Sequence, residues 1–461
     1  MRRLLFHSYH FPPIGGSGAQ RPLKMARYLT ELGYSPIIVT RGGPEREDRW
    51  APEDRTLSEE IPAGVEVRRV AGAFEPSPAA RLRPLAERWL RLPDRWTAWW
   101  IEASTRAGIE AAGDGVDLVY VWMQPYASAG AGAGLSRALG KPWVADLGDP
   151  WALDEMMVYP SDLHRRLDLR HMGKVLETAS AIVMSTTEAV ERLLEAFPRL
   201  GDRPVVAIPN GFDAEDFRAR PVPRDADRFR IVHTGYLHSE LGEIHRRRRR
   251  MRRVLGGSVR GLDILTRSHL FLVEAVNRVL AENPDHSAKL ELHLAGVMSD
   301  TDERIAAACP VVTRHGYVSH AESIALLRTA DMLFLPMQKL PRGTRATIVP
   351  GKTYEYLASG TPILAAVPEG DARDILTEAG NATIVEPDDV KGMARAIVSG
   401  LERAQAGAGR AAPRSDVVAR YEYRHLAGEL ARVFDVVLGS AAVPTGTPAV
   451  GVGAPAASAR A

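Results

Sequence analysis

The 461-residue sequence has one cysteine, Cys309. That excludes an internal disulfide and any cysteine-built metal cluster, and it fits a reducing compartment. No apolar run reaches the roughly 18 residues that a membrane-spanning helix needs. The opening MRRLLFHSYHFPP begins basic, but its short apolar run ends in prolines, unlike a secretory signal. A cytoplasmic protein is expected, with the inner face of the cell membrane as the place for any surface contact. There is little surplus charge either: the net value is +2, so no whole-molecule field calls for a polyanionic partner. No His/Asp cluster argues for a metal, and none is expected.

What the chain does contain is a globular proportion of apolar residues, 45%, and too much length for one ordinary core. Two domains of roughly 200 residues each are expected. Leu4–Phe6 reads as a strand and leads into a glycine-rich loop, His10–Gly18. Leu23, Ala26, Leu29 and Leu32 then recur at helical spacing, and Pro36–Thr40 is a second strand. Gly15 and Gly16 let backbone N–H groups approach an anion, a tight turn being the alternative. The spacing is not GxGxxG, and Thr40-Arg41 stands where an acidic residue would end the second strand, which disfavours a nicotinamide enzyme.

The alternation continues through strands at 118–122, 143–145, 182–185 and 205–208. Asp146 and Asp149 end one of them, where α/β sheets place their chemistry. Pro150 holds Asp149 extended; helix capping or turn formation is the other use of such an aspartate. Asn210-Gly211 marks a boundary, giving domains 1–208 and 209–414. Further strands follow at 230–233, 290–295, 331–336, 363–367 and 383–385. Within this half, PGKTYEYLASGTP (350–362) is a short helix between a loop and a strand, with Lys352 and Glu355 three apart near its start. That arrangement suits phosphate, or an ordinary β-loop-α connection. A last helix is expected over 415–438, and the Ala/Pro/Gly-rich stretch 439–461 is expected to be disordered.

Two segments stand apart. Residues 81–104 carry Trp89, Trp96, Trp99 and Trp100 among five arginines, which suits an anionic membrane interface or, equally, a tryptophan-rich core. The insertion 239–261 contains HRRRRRMRR, so that Arg246–Arg253 reads as a solvated stretch, a contact for anionic lipid, or a phosphate trap. No aromatics interleave for base stacking, and nucleic acid is not expected as a partner.

Four stretches carry a family resemblance: HSYHFPPIGGSGAQRPLKMARYLTELGY, IPNGFDAEDF, HGYVSHAESIALLRTADMLFLP and PGKTYEYLASGTPIL. Together, over about residues 1–436, they resemble a GT-B glycosyltransferase of family 4, the retaining sugar-nucleotide enzymes. PDRWTAWW, VYVWMQPYAS and DLGDPW resemble more narrowly the subgroup that builds cell-surface polysaccharides. The resemblance implies an α/β fold of GT-B architecture, two Rossmann-like domains facing across a cleft. The acceptor would bind 1–208 and the donor mainly 209–414, with 415–438 crossing back. It implies transfer of a hexosyl or N-acetylhexosaminyl group from a UDP- or GDP-sugar to a saccharide or lipid-linked acceptor, with no bound cofactor.

Carried onto this sequence, Gly15 and Gly16 would approach the donor phosphates, Tyr317 and Val318 would line the base, and Glu355 would hold the ribose as the second glutamate of E-x7-E. Lys352 would meet the diphosphate, and Asp149 lies near the reacting sugar; these two are the expected catalytic residues. Two departures stand out. Thr347 occupies the place of the first glutamate, and Tyr236 follows Gly235 where an arginine is usual. The diphosphate must then be met by other cations, among them Lys352, Arg345, Arg342, Arg267 or an arginine of the insertion. A sugar-nucleotide epimerase or hydrolase of the same architecture, and a polyanion-binding protein using Arg246–Arg253, are the competing readings.

Overall fold

The computed structural model describes residues 1–42, 52–70, 95–113, 115–218, 228–248 and 254–440. Among these, thirteen strands form two sheets. The first contains β1 (Arg2–Ser8), β2 (Tyr34–Arg41), β3 (Glu66–Val70), β4 (Leu118–Trp122), β5 (Trp143–Leu147), β6 (Ala181–Met184) and β7 (Val205–Ala207). Their order is β3-β2-β1-β4-β5-β6-β7. The second contains β8 (Phe229–Thr234), β9 (Leu290–Ala295), β10 (Val312–Gly316), β11 (Met332–Pro336), β12 (Ile363–Ala366) and β13 (Ala382–Val385), in the order β10-β9-β8-β11-β12-β13.

Adjacent strands are parallel throughout, and helices cover both faces. This explains why the central strands read as unbroken apolar runs: every residue of LVYVW in β4 and MLFLP in β11 is buried. The strand order reverses beside β1 and again beside β8. At such a switch point the flanking connections leave on opposite faces and open a crevice at the strands' carboxyl ends. Each sheet therefore supplies one wall of a potential site.

The C-terminal segment returns to the first sheet. Tyr423–Val437 is a helix that buries Leu426, Leu430 and Phe434, with the Phe434 ring 5.4 Å from Tyr34 and 5.3 Å from Tyr120. The single helix expected over 415–438 is in fact two, Ser415–Ala419 and Tyr423–Val437. Between them the backbone pairs with Phe212, whose N–H donates to the Tyr421 carbonyl (3.0 Å) while its carbonyl accepts from Tyr423 N–H (2.9 Å). Those bonds replace helical ones and turn the chain.

Of the two readings of the tryptophan segment, the described part fits the core. Trp100, on the helix Arg95–Ala112, is fully buried, donates to Ser128 Oγ (3.1 Å) and meets Tyr9 edge to face at 4.8 Å. Trp99 packs half-buried against the same core, so this part of 81–104 is core rather than membrane contact. Trp89 lies outside the described residues, as do Arg249–Arg253 and the tail from 441. Arg246 pairs with Asp263 and Arg247 with Glu243. No helix of the described residues is long and apolar enough to cross a membrane.

Candidate active site

A cavity of about 380 Å³ lies between the carboxyl ends of the two sheets. From the first come Gly16 and Gln20 after β1, Trp122 and Gln124 at the end of β4, and Gly148 and Asp149 after β5. From the second come Thr234, Gly235 and Tyr236 at β8, Gly296 after β9, Tyr317 and Val318 after β10, and Lys352 and Glu355 on the helix Lys352–Ala358. Gly15 sits where the walls almost touch. A Cβ there would come within 2.7 Å of the Tyr317 hydroxyl, so only glycine allows this approach.

Two cations meet on the second wall. Lys352 Nζ lies 3.2 Å from His233 Nε2, and His233 Nδ1 lies 2.9 Å from the Phe334 carbonyl. The carbonyl can only accept, so Nδ1 carries the proton and the Nε2 lone pair receives the lysine. Burial holds His233 well below its ordinary range, with Lys352 as the next cause, which keeps the imidazole neutral. Lys352 itself is pushed down to about 7, first by burial and then by the neighbouring Arg267, with Glu355 opposing. Gly235 (φ 91°) brings the backbone against this amine: a Cβ would lie 3.1 Å from Nζ.

Arg267 also lines the cavity and faces Asp149, Asp154 and Glu155, although burial lowers its pKa. Asp149 Oδ2 accepts from Gln124 Nε2 at 3.3 Å. Burial raises its pKa, Arg267 opposes, and Glu155 adds to the rise.

Glu355 has a partner that motif reading missed. Its Oε1 lies 3.9 Å from His320 Nδ1, while His320 Nε2 is 3.0 Å from Asp216 and His320 N–H donates to Asp54 (3.1 Å). Burial works against a charge on His320, but Asp216 and Glu355 outweigh it and raise its pKa. Burial also raises Glu355, against the pull of His320. Asp216 continues to Lys24 (2.9 Å) on the helix Ser17–Glu31, so a chain of charges runs from the first sheet's helix to Glu355.

Two family models match this chain: "Glycosyl transferase 4-like domain" over residues 16–211 and "Glycosyl transferases group 1" over 261–403. The chain belongs to the GT-B glycosyltransferases of family 4. A phosphatidyl-myo-inositol mannosyltransferase of Mycolicibacterium smegmatis is 32% identical over 126 residues, which is 27% of this chain and 31% of that relative. Sucrose-phosphate synthase from Thermosynechococcus elongatus superposes with a TM-score of 0.59 at 15% identity, covering 96% of this chain and 100% of that one. Anabaena HepE in complex with UDP and glucose superposes with a TM-score of 0.54 at 16% identity, covering 94% and 100%. These two likenesses concern the fold.

In this family 4 chain, most of the expected residues converge on the cavity, but Arg345, Thr347 and Arg342 do not line it. Arg345 is held outside it, its Nε donating to Glu188 (2.9 Å) and its Nη2 to Asp374 (2.5 Å). Those carboxylates raise its pKa against burial. Thr347 is fully buried, gives its N–H to Glu155 Oε1 (3.2 Å) and its hydroxyl to Oε2, and accepts from Thr186 Oγ1 (2.6 Å). Its neighbours Ile348 and Val349 line the cavity in its stead. A glutamate at 347 would face the buried Glu155, a like-charge contact; threonine offers two donors instead. Arg342 is exposed and away from the cavity. Asp146, though at a strand end, is bound by Arg21 (2.9 Å) and the Tyr120 hydroxyl, leaving Asp149 to the cleft.

Proposed function

We propose that the chain transfers a sugar from a nucleoside diphosphate to an acceptor hydroxyl with retention at the anomeric carbon. The observation that carries this reading is the meeting of Lys352 and Arg267 with Glu355 on one wall, opposite Asp149 and the Gly15-Gly16 loop. Departure of a diphosphate builds negative charge, and cations held in place before the reaction stabilise it without reorganising. Lys352, Arg267 and the backbone at Gly16 and Gly235 take that role. Glu355 accepts from the ribose hydroxyls, and Tyr317, Val318 and Tyr236 flank the base. Asp149 lies beside the reacting carbon, where a carboxylate favours an oxocarbenium-like sugar, and the leaving phosphate receives the acceptor's proton.

UDP is the donor nucleotide we favour over GDP, on the likeness to HepE, which holds UDP. The mannosyltransferase relative acts on a phosphatidylinositol, which supports a hexosyl donor and a lipid-linked acceptor of the glycolipid kind. Thermal-shift screening of UDP-, GDP-, ADP- and dTDP-sugars reads the donor directly, because a ligand of the native state raises its stability. NMR of the product then reads the anomer. Nucleotide release without a glycosylated product would replace the transferase by an epimerase or hydrolase, and no response to any nucleotide would end the reading.

A further inference from the structure

The loops that follow β4 and β5 meet twice on the first wall. At the cavity they meet through Gln124 and Asp149, joined by the hydrogen bond from Gln124 Nε2 to Asp149 Oδ2. Gly148 allows that approach, since a Cβ there would lie 2.9 Å from the same Nε2. Two residues further along each loop they meet again, through Tyr126 and Trp151. Those rings stack 3° from parallel with 5.3 Å between centroids, and neither lines the cavity.

Trp151 reaches this stack from a strained backbone. Its φ is 51°, and among the described residues it is the only one other than glycine with a positive value. A bulky side chain rarely adopts that region and does so only where its surroundings over-determine it. Here they do. Trp151 is 4% exposed, its Nε1 donates to Asp168 (3.1 Å), Tyr126 stacks against the ring, and His171 meets it edge to face at 5.7 Å. Asp168 is fixed in turn by the Tyr159 hydroxyl (2.7 Å). Burial holds the Tyr126 phenol well above its ordinary range, with Asp149 and Asp154 as the next causes and a backbone bond from Trp151 opposing, so the phenol stays protonated beside those carboxylates. Filling a core requires no left-handed tryptophan. Strain of this kind is kept where the geometry it fixes is used.

We propose that the Trp151–Tyr126 stack is a clamp that sets the spacing of Asp149 and Gln124 and so points the Asp149 carboxylate at the reacting carbon. Trp151 and Tyr126 are positioning residues: they act through Asp149 and touch no substrate. A displacement of about 1 Å at a reacting group can cost on the order of 10²-fold in rate, which is the error such a clamp prevents. The inference rests on the reading of Asp149 given above.

Tyr126→Leu and Trp151→Leu remove the stack from either side, and Trp151→Phe keeps a flat ring in place. The first readout is the titration of the Asp149 carboxyl, followed by NMR in the full chain carrying carbon-13 at its aspartate carboxyls and assigned by its loss in Asp149→Asn. Burial raises the Asp149 pKa. Both leucine variants are expected to shift it back toward the ordinary carboxylate range by about one pH unit, as water enters between the loops, and Trp151→Phe is expected to stay near wild type. Tyr126 is only partly buried, so Tyr126→Leu carries the test where Trp151→Leu does not fold. The second readout is UDP release from UDP-glucose, UDP-galactose and UDP-N-acetylglucosamine. The leucine variants are expected to lower kcat about tenfold at unchanged KM, and to add nothing in the Asp149→Asn background. An unshifted titration, or equal rate losses with and without the Asp149 carboxylate, would overturn the clamp and leave the transferase reading standing. A wild-type rate in Asp149→Asn would instead remove Asp149 from the reaction, and the clamp with it.

Discussion

Two enclosed lysines in this molecule have opposite surroundings. Lys24, with a side chain 1% exposed, is ringed by Glu60 (2.6 Å), Asp213 (3.0 Å) and Asp216 (2.9 Å). Burial disfavours its charge, yet Asp216, Glu60 and Asp213 outweigh that and hold its pKa above the ordinary range. Lys352 instead faces a neutral imidazole and an arginine, and its pKa falls to about 7. The first cation is neutralised by the protein and has nothing left to bind. The second is held at a deficit that an incoming anion can fill, which separates a structural charge from one kept for a ligand.

The comparison can be broken in order of expected effect. Lys24→Met leaves three carboxylates without their cation and should cost about 3–5 kcal/mol of folding stability, read by denaturant unfolding; a loss below about 1 kcal/mol would mean that the ring relaxes at little cost. Lys352→Ala should lower turnover by roughly 10²–10³-fold while leaving the melting temperature equal or higher, because a charge disfavoured by folding has been removed. A wild-type rate in that variant would remove Lys352 from the mechanism.

The third prediction concerns pH. The unfolded lysine titrates near its ordinary 10.5 and the folded one near 7, so between those values the unfolded chain holds the proton and the folded chain does not. This group's contribution therefore makes the protein more stable as pH rises from about 7 toward 10.5. A bound diphosphate restores the charge, so nucleotide binding should take up a proton above pH 7 and weaken by up to about tenfold per pH unit. Calorimetry in buffers of different ionisation enthalpy measures that uptake, and pH-independent affinity would refute it. The smallest effect is expected at Arg345→Gln: with the guanidinium already held by Glu188 and Asp374, nucleotide affinity should stay within about twofold. A tenfold loss would return Arg345 to the donor site.

Much of this was legible in the chain itself. The β-α alternation, the glycine loop at 15–16 and the placement of Lys352 and Glu355 one helical turn apart all follow from local spacing. What spacing cannot carry is the choice between arginines. Arg267 and Arg345 looked alike as candidates, and only the packing of the second sheet's loops puts one in the cleft and the other against Glu188. Thr347 looked like a loss until Glu155, 192 positions away, proved to be its partner. Ser319 and Glu322 form a capping box at the start of the helix His320–Thr329, but nothing local showed that His320 would turn toward Glu355.

The partners of Thr347 and His320 have one more consequence. Thr347 is bonded to Glu155 and Thr186, Gln338 to Glu155, Arg345 to Glu188, Tyr159 to Gly257 and His320 to Asp54, so the two lobes are joined by many separate bonds. Ties at that many points resist sliding and twisting of one lobe on the other. Spin labels at either lip of the cleft should then report one narrow distance with and without nucleotide. Loss of the tie at His320 should broaden that distance into a spread.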